Sequence, residues 1–248
     1  MGADAVILDL EDAVPLQAKE RARELVREVL GAKDAWVRVN APRTDLCERD
    51  LRLVGRHAVG IRVPKVESAQ EAEWIAERVP GKRLICGIES ARGLLNAHAI
   101  ASVPGVCNLA LGGVDLARDL GVGDGDTEIL YARSHLVVVS RAAGIDPPID
   151  RVYTKLRDDE GLRREAELAC RLGFLGKSAI HPRQLPIVHA AFTPTAAELE
   201  WASHVVQAFQ ESGGSPTRLA DGEFVDLPVQ GRAQRLLSRR PPPGGGAG

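Results

Sequence analysis

Cysteine is scarce and scattered: Cys47, Cys86, Cys107 and Cys170 are the four in the chain, with no C-x-x-C pair among them. Paired spacing is what a zinc site or a redox motif requires, so its absence argues against both. Cys86 and Cys107 fall inside apolar, strand-like runs, where a thiol behaves as a small hydrophobe. All four are expected to be reduced, as in a cytosolic protein. No apolar run approaches the ~20 residues that span a bilayer. The N-terminus has no charged segment followed by an apolar stretch, as a signal peptide would. A cytoplasmic protein with no membrane contact is expected. A surplus of one charge is missing too. The 32 Lys and Arg against 34 Asp and Glu give a net charge of -2, and the cations are spread along the chain. Without a basic face, nucleic acid is not an expected partner. No strand candidate is followed by G-x-G-x-x-G, which removes the main reason to expect a dinucleotide fold.

What remains is an ordinary globular composition, 44% hydrophobic and 27% charged over 248 residues, long enough for one α/β barrel or two small domains. Short β-branched runs alternate with helical stretches. Strands are expected at 5–8, 36–39, 60–63, 84–88, 106–111, 149–152 and 174–180. Helices are expected at 16–30, 45–55, 68–79, 91–101, from about Val114, at 127–143 and at 161–172. Strands separated by helical crossovers form parallel sheets, and apolar strands fit a sheet covered on both faces. An open doubly wound sheet and a closed (β/α)8 TIM barrel both satisfy this pattern, with the barrel favoured. Seven strands are one short of eight, so the α/β barrel is expected to lack its first βα unit. The division expected is a barrel over 1–192, a C-terminal helical extension over 193–240, and a disordered Pro/Gly-rich tail over 241–248. Within the extension, 194–212 reads as helix and 222–229 as extended.

Ligands of parallel sheets gather at the carboxyl ends of the strands. Acids stand there in three places: Asp9, Glu11 and Asp12 after the first run, Glu89 after Ile88, and Asp115 after Gly112-Gly113. One carboxylate after each of two adjacent strands suits Mg2+, which takes one or two carboxylates and leaves its other positions to water and substrate. Equally, Glu89 and Asp115 suit helix first turns, where the macrodipole favours acids. Arg38 lies inside an apolar strand, where it needs either a polar target or a buried acid partner. Lys65, after Pro64, reads as a ligand contact or a surface lysine with a buried stem. The Gly112-Gly113 pair reads as a close backbone approach to ligand or as a tight turn.

At these residues the chain resembles the HpcH/HpaI aldolase and citrate lyase β-subunit (CitE-like) family. The matching stretches are GADAVILDLEDAV (2–14), VRVNAP (37–42), VPKVES (63–68), GIESARGLLNA (87–97), LALGGVDLARDLG (109–121), GKSAIHPRQLPIV (176–188) and GEFVDLPV (222–229). The resemblance implies a TIM barrel with a C-terminal extension, assembled as homotrimers or multiples of them. It implies Mg2+ on Glu89 and Asp115, with Glu11 and Asp12 supporting the metal's water shell. Arg38 is implied to contact the keto-acid or hydroxyacid oxygen, with Lys65, Gly112 and Gly113 at the substrate. Asp226 matches an aspartate that reaches a neighbouring subunit's active site as acid/base. Two departures stand out: the family's first strand and helix, with a P-G-x-R type loop, are absent, and Val114 replaces an acid beside Asp115.

The activity so implied is Mg2+-dependent retro-Claisen cleavage, or the reverse condensation, of a 3-hydroxyacyl-CoA such as citramalyl-CoA or malyl-CoA to acetyl-CoA and a 2-keto acid. Two other readings stand beside it. One is a citrate lyase β-subunit working on an acyl-carrier thioester; the other is a non-catalytic, barrel-derived binding or scaffold protein.

Overall fold

The computed structural model describes residues 2–238. Its contacts divide the chain into two compact units, the division falling between Val188 and His189.

The first unit is a seven-stranded sheet. In chain order it contains β1 (Ile7–Asp9), α1 (Lys19–Leu30), β2 (Trp36–Arg38), α2 (Asp45–Val54), β3 (Gly60–Val63), α3 (Ala69–Arg78) and β4 (Arg83–Ile88). Next come α4 (Ala91–Leu95), α5 (Ala97–Ala101), β5 (Val106–Leu111), α6 (Gly113–Leu120), α7 (Leu130–Ala143), β6 (Ile149–Asp150), α8 (Asp159–Leu172) and β7 (Gly176–Lys177). Every neighbouring pair is parallel, and the strands lie side by side in strict chain order. That order has no reversal, so the switch point that defines a doubly wound sheet is absent.

Strand side chains alternate between faces, and here the two faces differ in kind. Val37, Ile61, Val63, Leu84, Cys86, Ile88, Leu109 and Leu111 join the buried apolar cluster with Val26 and Leu30 of α1, Ile75 of α3 and Leu136 of α7. The opposite face carries a cross-strand row of directly paired residues, Asp9, Arg38, Arg62, Ile85 and Asn108. The expected sheet with two apolar faces is therefore corrected to one apolar face against helices and one polar face.

Local signals explain the element ends. Ser68 and Glu71 close a reciprocal capping box at the start of α3. Gly121 and Gly144 end α6 and α7 in the left-handed conformation that glycine adopts without steric cost. The helix expected over 91–101 is broken at Asn96, whose side-chain amide donates to the Glu67 carbonyl at 2.7 Å. All four cysteines are free.

The sheet has a second charge system on its helix side. Asp150 of β6 accepts from Arg133 of α7 through two bonds of 3.1 Å and from Lys177 of β7 at 2.8 Å. Glu165 of α8 accepts from Lys177 and from Arg151. All five residues are buried, and the reciprocal bonding is what makes their charges tolerable away from water.

The division lies within α9 (Leu185–Phe192). The second unit continues with α10 (Ala196–Glu211), the antiparallel pair β8 (Thr217–Arg218) and β9 (Phe224–Val225), and α11 (Leu227–Ser238). Ala202, Val205, Val225 and Ala233 form its own small core. The extended segment expected over 222–229 is corrected: it stops at Val225, and helix begins at Leu227. Asp226 is the reason, its carboxylate accepting from the Val229 N–H at 3.1 Å, while Pro228 sits in the first turn where no N–H is needed. The tail expected to be disordered, 241–248, lies outside the described residues. No described helix is long and apolar enough to cross a membrane.

Candidate active site

The polar face and the strand ends beyond it bring most of the predicted residues together. Glu89 leaves the end of β4 with 7% exposure. A Cβ on Gly112 would lie 2.3 Å from Glu89 Cγ, and one on Gly87 would lie 2.5 Å from Glu89 Oε1. Both positions need glycine because the Glu89 side chain fills the space. The Gly112 N–H donates to the Ile88 carbonyl at 3.0 Å, which ties the turn to the end of β4. At Gly113 a Cβ would meet Arg151 Cδ at 2.4 Å. The glycine pair thus admits two charged side chains, a use the sequence alone did not reveal.

Glu89 and Asp115 line one cavity of about 250 Å3, together with Lys65, Glu67, Ser90, Arg118 and Asp119. Glu89 makes no hydrogen bond or ion pair among the described residues, whereas Asp115 pairs with Arg118 at 2.7 Å. Burial pushes the Glu89 carboxyl up to about 7, with Glu11 and Asp115 adding to the rise and Arg62 opposing it.

Near this cavity Asp9, Glu11, Asp12, Arg38 and Lys65 are paired with one another. Arg38 donates through Nε and Nη2 to both oxygens of Asp9, at 2.8 and 2.6 Å, and its Nη1 lies 3.1 Å from Glu11 Oε2. Burial alone would raise the Asp9 carboxyl, but Arg38 and the Glu11 N–H outweigh it and hold Asp9 below the usual range. The Asp9 bond in turn raises Arg38 above the ordinary guanidinium value. Lys65 places its ammonium 2.6 Å from Glu11 and 2.8 Å from Asp12. Those pairs hold its charged form despite partial burial, so its pKa is raised. Lys65 is also one of two described non-glycine residues with positive φ, at 54°.

The loop bearing Glu11 is fastened from beneath. Buried Lys19 donates to the Leu10 and Glu11 carbonyls and to Asn40 Oδ1, at 2.7, 2.8 and 2.7 Å. Asn40 is itself held by Asp50 of α2. Asp226 belongs to the second unit, where it caps α11. Sequence reading also missed Arg62, next to Arg38 in the polar row. Its signal, an arginine inside an apolar strand, was the one already used for Arg38.

The donor set suits a hard divalent cation. Glu89 is a buried carboxylate without a partner, Asp115 shares its cavity, and every candidate ligand is oxygen. No cluster of three or more His, Cys, Asp or Glu converges among the described residues. Glu89 and Asp115 share the cavity lining with Glu67 and Asp119, and Mg2+ takes one or two carboxylates and leaves its other positions to water or substrate.

A one-way parallel sheet with acids just past its strand ends is an architecture of α/β enzymes, and oxygen donors there suit metal-assisted chemistry. Comparison with known proteins supplies the family. The HpcH/HpaI aldolase/citrate lyase family model matches residues 1–182, and the chain belongs to that family. It is 38% identical to the citrate lyase subunit beta of Leuconostoc mesenteroides subsp. cremoris, across 95% of this chain and 85% of the relative. It is also 38% identical to a (3S)-malyl-CoA thioesterase of Cereibacter sphaeroides, across 91% and 82%. Among solved structures, CitE of Mycobacterium tuberculosis in complex with magnesium, acetoacetate and coenzyme A superposes with a TM-score of 0.84 at 33% identity, covering 96% of this chain and 90% of that one.

Proposed function

We propose that this chain is a Mg2+-dependent carbon–carbon lyase that cleaves a 3-hydroxyacyl-CoA, such as malyl-CoA or citramalyl-CoA, to acetyl-CoA and a 2-oxo acid, or runs the reverse condensation. The observation that carries the proposal is the unpartnered, buried Glu89 sharing a cavity with Asp115 past the ends of adjacent parallel strands. The relatives support it, since one acts as a lyase subunit, another on malyl-CoA, and a third was solved with magnesium and coenzyme A.

Glu89 and Asp115 would hold the cation, which supplies Lewis acidity and a fixed orientation for the substrate's carboxylate and adjacent oxygen. Arg38 has five N–H donors, and three face Asp9 and Glu11. The two left over would be free to stabilise the oxygen that gains charge as the carbon–carbon bond breaks. Glu11 and Asp12, already pinned by Lys65, orient water at the site. Lys65 and the Gly112-Gly113 backbone lie at the substrate. Asp226 serves as acid/base at the thioester carbon of a neighbouring protomer's site, in a homotrimer or a multiple of it. The strict strand order and single polar face support reading the seven strands as belonging to a (β/α)8 barrel. The compartment proposed is the cytoplasm, in keeping with four free cysteines.

The test follows 2-oxo acid release from malyl-CoA and citramalyl-CoA by the purified chain with Mg2+. Glu89→Ala and Asp115→Ala should each abolish turnover with the fold intact, and EDTA should abolish it in the wild type. Full activity of either variant, or of wild type in EDTA, removes the metal assignment. Cleavage of a carrier-protein thioester but no free CoA ester would instead select the citrate lyase β-subunit reading that the Leuconostoc relative favours. Mixing Asp226→Ala with Arg38→Ala chains should restore part of the activity; no recovery counts against shared sites.

A further inference from the structure

Glu67, Glu89, Asp115 and Asp119 all line the same cavity, and two of them are committed to holding backbone. Glu67 Oε1 accepts from the Ser90 hydroxyl at 2.7 Å, and Asp119 Oδ2 accepts from the Ala91 N–H at 2.7 Å. Both bonds hold the turn that carries Glu89. The second reaches it from α6, the helix that carries Asp115.

Asp115 and Asp119 are four residues apart, so they share one face of α6, about 6 Å apart along its axis. A second tie joins the same two segments: the Gly112 N–H donates to the Ile88 carbonyl at 3.0 Å. Ile88 and Ala91 stand on either side of Glu89, and Gly112 and Asp119 stand on either side of Asp115. The two bonds therefore close a ring of chain around both carboxylates. Leu116 and Ala117 are buried, which seats α6 and makes Asp119 a fixed post for the turn. Glu89 depends on that post, because its side chain makes no hydrogen bond or ion pair among the described residues. Its direction comes from where its backbone stands and from the space left over Gly87 and Gly112. A slip of the turn moves the carboxylate with nothing to correct it.

We propose that Asp119 is a positioning residue, whose bond to the Ala91 N–H fixes the spacing of Glu89 and Asp115 and so sets the affinity for the cation they share. The proposal rests on reading those two carboxylates as Mg2+ ligands. Mg2+ demands near-ideal octahedral geometry with ligands at about 2.0–2.1 Å, so a small drift of either oxygen weakens the grip. Residues that orient metal ligands in this way matter almost as much as the ligands themselves.

The test compares wild type, Asp119→Asn and Asp119→Ala by calorimetric titration with Mg2+, and follows Ala91 amide hydrogen exchange by NMR in the same proteins. Asparagine keeps an acceptor for the Ala91 N–H and loses the charge; alanine loses both. Asp119 is exposed, so neither change disturbs the core. Asp119→Ala should bind Mg2+ about tenfold more weakly, and its Ala91 amide should exchange about tenfold faster or more. Asp119→Asn should stay within about threefold of wild type in both readings, since a neutral acceptor gives the weaker form of the same bond. Equal weakening in the two variants makes Asp119 a source of charge or a direct ligand, and overturns the proposal. So does an Asp119→Ala variant with wild-type affinity, or a wild-type Ala91 amide that exchanges as freely as in that variant. Each of these results leaves the Mg2+ reading standing. No uptake of Mg2+ by wild type overturns the metal reading and this role with it.

Discussion

Burial disfavours the charged form of Glu89, and the cost is measurable as a pH-dependent stability. Its carboxyl rises from the ordinary 4.5 to about 7 in the folded chain, chiefly through burial. A carboxyl raised on folding binds more protons in the native state than in the unfolded state between those two values. Stability therefore falls as pH rises through that window. The full rise corresponds to about 3 kcal/mol, all of it lost by about pH 7.5. Glu89→Gln keeps the shape and removes the titration. Urea unfolding of wild type and Glu89→Gln should be compared in EDTA at about pH 4.5 and about pH 7.5, since the difference between them cancels the other titrating groups. The two proteins should be similar at the lower pH. At the higher pH the glutamine variant should be the more stable by about 3 kcal/mol. Adding Mg2+ at the higher pH should stabilise wild type and leave the variant unmoved, because a ligand that binds only the native state adds to its stability. A wild-type minus variant difference that does not change with pH would falsify the claim that this carboxyl is destabilised by burial.

Two further outcomes follow from the packing around that residue. Gly112→Ala places a methyl 2.3 Å from Glu89 Cγ, so the carboxylate must turn away. Mg2+ affinity, read by titration, should fall by about tenfold or more, with little change in the urea midpoint. Lys19→Met strips two carbonyls and Asn40 of their buried donor. It should cost on the order of 3 kcal/mol of stability and also loosen Glu11, visible as greater Lys65 reactivity toward amine reagents; unchanged reactivity would separate the fastening from the site.

The strands were legible because each is a short β-branched or apolar run bounded by turn residues, and β3 and β5 occupy the expected spans. The acids were legible because position after a strand end is a one-dimensional feature. Pairing is not. The Arg133–Asp150–Lys177–Glu165 cluster joins residues from two strands and two helices, and no local pattern announces it. Arg62 shows a different failure. Its setting, Gly60-Ile61-Arg62-Val63, carried the same warning as Arg38, yet only the three-dimensional count of partners separates a paired arginine from an unpaired one. Helix α11 was hidden by the β-like run Phe224-Val225, although Asp226 and Pro228 were legitimate helix-start signals two residues on.

The sheet thus separates its charges by face, and that separation predicts opposite signs for two formally similar substitutions. On the helix side, Arg133 is fully buried and bonded to Asp150 and Asp126. Arg133→Met would leave Asp150 with Lys177 alone, so it should cost about 3–5 kcal/mol, the range for breaking a buried ion pair from one side. On the polar face, Arg62 has no bonded acid to strand. Arg62→Met removes an uncompensated buried charge and should be neutral or stabilising. Urea unfolding at one pH with EDTA present compares the two directly. A large loss for both would mean that Arg62 is as firmly paired as Arg133, and the polar face would then be a scaffold like the helix side. A loss for Arg133→Met alone leaves the polar face as the place where the chain keeps charge in excess of its partners, which is the physical condition for holding a cation and an anionic substrate together.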